Sequence, residues 1–88
     1  MEAFFSSLLE LSETVRPRSS YTADAMTQLI DYTKRSLPWK APEVWHHVLN
    51  EMMESLCNIC HRNGFVAESE SLVPLWKNFE ASVEWKLR

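Results

Sequence analysis

Between residues 42 and 63 apolar side chains recur at steps of three and four, and this run constrains the fold more than any other. Trp45, Val48, Leu49, Met52, Leu56, Ile59 and Cys60 fall on one face, with Glu43, His47, Asn50, Glu51, Glu54, Asn58 and His61 opposite. A strand alternates every second residue and cannot sort these sets to two sides, so the spacing predicts an amphipathic helix. Its limits are marked chemically. Pro42 suits a first helical position, and Gly64, the only glycine, follows the end where a left-handed residue is needed. Phe65 is the expected apolar contact just past it.

One such helix cannot hide its apolar face alone. Three more segments carry the same period. In residues 2 to 15, Phe4, Phe5, Leu8, Leu9, Ser12 and Val15 share a stripe that Pro17 terminates. From about 23 to 37 the stripe is Met26, Leu29, Ile30, Thr33 and Leu37, with Thr22 the expected N-cap and Asp24 in the first turn. From about 70 to 87 it is Leu72, Leu75, Trp76, Phe79, Val83 and Leu87, after a cap at Ser69 or Ser71. A late start is expected there because Pro74 is tolerated only near a helix beginning.

The fold class expected is therefore all-α: four amphipathic helices as two antiparallel hairpins in a single helical domain over residues 1 to 88. With one Gly and four Pro the chain lacks the turn residues of an all-β fold, and 45% hydrophobic with 24% charged residues is ordinary globular composition. Phe4, Phe5, Leu8 and Leu9 match Val44, Trp45, Val48 and Leu49 about forty residues on, and the second and fourth stripes match at a similar offset. That hairpin pattern resembles HEAT and armadillo repeats, so the two arrangements in play are a HEAT/armadillo-like pair of repeats and a four-helix bundle. The repeat reading would make the chain the N-terminal part of a longer helical protein.

Several function classes are disfavoured. A net charge of -3 with scattered Lys and Arg gives no field for a polyanion, so no nucleic acid is expected. No apolar run reaches roughly 18 residues, and the start lacks a basic n-region, so neither a membrane span nor a signal peptide is expected. An intracellular chain with reduced cysteines follows.

Cys57-Asn58-Ile59-Cys60-His61 spells C-x-x-C-H, the pattern of covalent c-type haem attachment. The alternative function is therefore a haem-binding electron carrier using Cys57, Cys60 and His61. The plainer reading makes both cysteines small apolar residues and His61 a favourable cation near a helix C-terminus. No metal site is expected, because His47 lies about 15 Å of helix rise from Cys57 and His61 points about 100° away from Cys60. His46 and His47 beside Glu43, Glu51 and Glu54 lack the H-E-x-x-H spacing and read as a solvated face. Arg16-Pro17-Arg18-Ser19-Ser20 resembles a kinase site, a short string that recurs by chance.

No cofactor and no enzymatic activity are expected. The leading function is a protein-interaction or scaffold module that binds a partner helix, from another protein or from the rest of a longer chain. Four Trp locate the candidate surface. Trp45 and Trp76 lie in apolar stripes, and Trp39, between Pro38 and Pro42, is expected to cover the bottom of a hairpin. In a helix running to residue 87, Trp85 lies about 200° from Val83 and faces away from the core. Trp85, Val73 and Leu87 are the predicted partner-binding residues.

Overall fold

The computed structural model describes residues 2–85. Four helices, α1 (Glu2–Val15), α2 (Ser20–Ser36), α3 (Pro42–Arg62) and α4 (Val66–Ser82), follow one another, with one turn of 3-10 helix at Leu37–Trp39 between α2 and α3. No strand occurs among the described residues.

Each helix buries a seam spaced three, four, three, four. In α1 it is Phe5, Leu8, Ser12 and Val15, and along α2 it runs Ala23, Met26, Ile30, Thr33 and on to Leu37. In α3 it is Leu49, Met53, Leu56 and Cys60, and in α4 Leu72, Trp76 and Phe79. This is the spacing by which side chains of antiparallel helices interdigitate. Short connections make α1 and α2 one hairpin and α3 and α4 the other. Packing of α2 on α3 and of α1 on α4 completes a ring of four neighbours around a shared core. A stack of two like hairpins would instead lay α1 on α3 and α2 on α4, so the pairing is that of a small bundle.

The buried polar groups of the seam are satisfied locally. Ser12 donates its hydroxyl to the Leu9 carbonyl at 2.8 Å and Thr33 to the Leu29 carbonyl at 2.9 Å, so neither hydroxyl is orphaned.

The end of α3 forms as its residues predict. Gly64 takes φ +81, the Phe65 N–H reaches the Cys60 carbonyl at 2.8 Å, and the Gly64 N–H reaches the His61 carbonyl at 3.2 Å. These are the two bonds of a Schellman close, and Phe65 is buried behind them. Arg18, in the α1–α2 connection, lies over the Phe65 ring at 4.3 Å and reaches toward the Gly64 carbonyl at 3.5 Å. One side chain thereby ties the turns of both hairpins at the same end of the bundle.

Three boundaries differ from expectation. The N-cap of α2 is Ser19, whose hydroxyl accepts the Thr22 N–H at 3.2 Å. Thr22 itself is buried inside the first turn, and Asp24 accepts from Arg16 at 2.8 Å across the connection. Helix α4 begins at Val66, not near residue 70, and continues through Pro74. Pro74 and Glu70 both lie on the exposed side, so the Glu70 carbonyl that loses its helical donor can be met by water. At its other end α4 stops at Ser82, and Val83 turns extended with φ -117 and ψ 140.

Candidate functional site: the corner between α2 and α3

That early stop overturns the expected direction of Trp85. Residues 83–85 are not helical, so the rotation that carried Trp85 outward is absent, and the side chain folds back half-buried against the core. Its ring lies 5.8 Å from Phe79, 6.4 Å from Trp76 and 5.0 Å from His46, and its Nε1 donates to the Glu80 carbonyl at 3.1 Å. Val73 is 47% exposed and opens onto a groove of about 400 Å³ between α3 and α4, lined also by Met53, Cys57, Leu72 and Trp76. Leu87 lies outside the described residues. Of the predicted surface, Val73 alone is both described and exposed.

Around Trp85 sits an aromatic cluster that joins three helices. Phe4 of α1 stacks on Phe79 of α4 at 4.0 Å and lies 6.2 Å from Trp76, while His46 of α3 stacks on Trp76 at 5.7 Å. His46 Nε2 lies 2.6 Å from a Glu80 carboxylate oxygen. The sequence reading placed His46 with His47 on the outer face, and only His47 belongs there, 3.7 Å from exposed Glu51. His46 instead stands three residues before Leu49 and seven before Met53, on the seam itself. That spacing was available as a signal. The polarity of the side chain concealed it.

Trp45 is half-buried, and its Nε1 is enclosed with no hydrogen-bond partner among the described residues. Leaving such a donor dry costs on the order of 1–3 kcal/mol.

The C-x-x-C-H residues do not meet on one accessible surface. Cys60 is fully buried, with its Sγ 3.8 Å from the Met26 sulfur, and burial pushes its thiol up to about 11. Cys57 is half-buried, 3.9 Å from the Ser69 carbonyl, and His61 is exposed. A haem edge would have to reach a thiol sealed inside the bundle, so the arrangement does not fit attachment. Among the described residues no three His, Cys, Asp or Glu side chains are grouped to hold a metal ion. Likewise no described helix is long and apolar enough to cross a membrane.

The exposed tryptophan is Trp39. It is 87% exposed, where the sequence reading had it covering a hairpin. Its position relative to Leu37 accounts for this. Leu37 anchors the 3-10 turn in the core, and at about three residues per turn a side chain two positions later points about 240° around, into solvent. Pro38 and Pro42 fix the backbone on both sides, and the Lys40 N–H closes the turn on the Leu37 carbonyl at 3.2 Å.

Beside Trp39 stands Tyr32, 62% exposed, on the last turns of α2. Tyr32, Arg35, Ser36, Trp39 and Lys40 line one shallow depression. The Ser36 hydroxyl is committed to the Tyr32 carbonyl at 2.9 Å, which leaves two aromatic faces and two cations to meet a visitor. This surface can bind, but nothing in it activates a nucleophile or shuttles a proton.

Comparison with models of protein families, with curated proteins and with solved structures gave no match to this chain.

Proposed function

We propose that this chain is a non-enzymatic helical module that binds another protein, and that the corner carrying Trp39 is its contact surface. The observation that carries the reading is a tryptophan 87% exposed on a backbone held by two prolines and a buried leucine. Large aromatic side chains left in water contribute nothing to the isolated fold. Trp, Tyr and Arg are the residues that dominate the energy of protein interfaces, and three of the five residues of the depression are of these types. A rigid corner also presents its anchor without the entropy of ordering a loop on binding. Both cysteines are free, which suits a reducing, intracellular setting for the same role.

The test compares proteins captured from a cell lysate by the wild-type chain, by Trp39→Ala and by Val73→Ala, each checked for an unchanged helical melt. Trp39→Ala is expected to lose the captured partners that Val73→Ala retains. Equal capture by Trp39→Ala refutes the assignment of the corner.

A further inference from the structure

The charges beside Trp39 specify what kind of partner segment it accepts. Arg16 is paired with Asp24 and Glu13, Arg18 lies against Glu68 and Phe65, and Lys34 sits over the Phe5 ring. Arg35 and Lys40 make no ion pair among the described residues, although Asp31 stands one turn before Arg35. Two uncommitted cations thus flank two exposed aromatic rings on a chain whose net charge is -3.

We propose that the Tyr32, Arg35, Trp39 and Lys40 surface recognises an acidic peptide segment of a partner protein. This rests on the reading of the corner as a protein contact and adds the chemistry of the ligand. The guanidinium of Arg35 offers a planar fork for a carboxylate, and Lys40 offers a second, more mobile charge. Trp39 and Tyr32 supply flat, amphipathic area for the backbone and apolar side chains between the acidic residues, at low entropic cost.

The remaining surface sharpens the choice. Arg62 and Lys77 are also exposed and make no ion pair among the described residues, but neither lines the depression that holds the two rings, so it is at this corner that free cations and exposed aromatic faces coincide. An anionic lipid surface is the less suitable ligand, because electrostatic membrane attachment uses clusters of about 4–8 Lys and Arg and this corner offers two uncommitted cations.

The probe is a displayed library of random 12-residue peptides selected on the immobilised full chain, with phosphatidylserine vesicles run in parallel. Enriched peptides are expected to be rich in Asp and Glu. Their affinity should fall at least about tenfold on Trp39→Ala and on the pair Arg35→Glu with Lys40→Glu, and should weaken as salt is raised. Neither side chain is buried, so the Glu variants are expected to stay folded, with at most a small drop in the helical melt from the reversed charge in the last turn of α2. Binding is compared at a temperature where both variants are folded.

Peptides that need Trp39 but show no acidic bias and ignore the charge reversals would overturn the acidic-ligand proposal while leaving the protein-contact reading intact. Acidic peptides that bind Trp39→Ala unchanged would overturn both. Failure to enrich any peptide, or vesicle binding that depends on Trp39 without peptide enrichment, overturns the proposal outright.

Discussion

His46 Nε2 stands 2.6 Å from Glu80 Oε2, so the first turns of α3 are joined to the last turns of α4 by a polar pair under an aromatic roof. Trp76 and Trp85, 6.4 Å from each other, both border the imidazole, and the Trp85 indole donates to the Glu80 carbonyl. Through Trp85 this cluster ties residues 83–85 to the bundle.

Trp85→Ala should therefore destabilise the fold. Removing a half-buried indole with three ring neighbours and one hydrogen bond is expected to cost about 1–3 kcal/mol, below the 3–5 of a fully buried aromatic. Urea unfolding followed by circular dichroism measures it. Trp39→Ala in the same assay is expected to stay within about 0.5 kcal/mol of wild type, as an exposed site should.

How much of this was legible in the sequence depends on what each position rests upon. Helix α3 was legible end to end, because Pro42 and Gly64 act through their own backbone chemistry and the seam between them is long. The close at Cys60, Gly64 and Phe65 was legible for the same reason. The start of α4 was not, since Pro74 argues against a preceding helix unless its lost hydrogen bond falls on the wet side, which only packing decides. Trp39 and Trp85 exchanged roles because each depends on the course of the backbone beyond a helix end. The first stands two positions past the buried Leu37 and off its side, and an early stop folded the second in.

Pro74→Ala tests that account of α4. Alanine restores the N–H that the Glu70 carbonyl lacks and fits an exposed helical site, so the variant should be more stable by about 1–3 kcal/mol, read from the urea midpoint. A loss of stability would mean that the proline ring is needed where it stands.

Gly64→Ala addresses the turn between α3 and α4. Nothing lies within 4 Å of the place a Cβ would occupy, so the penalty comes from the positive φ alone, about 1 kcal/mol. Gly64→Asn should cost less, because asparagine tolerates the left-handed region. A melt that separates the two variants in that order supports backbone conformation as the cause.

The two cysteines should differ in reactivity. At neutral pH iodoacetamide is expected to label Cys57 and to spare Cys60 until the chain unfolds. The pH dependence has a definite sign. Burial raises the folded thiol of Cys60 from 9.0 to about 11, so the native state resists ionisation that the unfolded chain permits. Its stabilising effect is complete below pH 9 and is lost as the pH rises toward 11. Cys60→Ala should lower stability at pH 7 and flatten its fall over that alkaline interval. Rapid labelling of Cys60 in the folded protein would contradict the packing against Met26.

The exchange of roles between Trp39 and Trp85 underlies both the fold and the binding surface, and hydroxyl-radical footprinting read by mass spectrometry reports on all four indoles at once. Trp39 is expected to be oxidised near the rate of a free indole, with Trp45, Trp76 and Trp85 each protected. Oxidation of Trp85 as fast as Trp39, or protection of Trp39 in the isolated chain, would contradict the account.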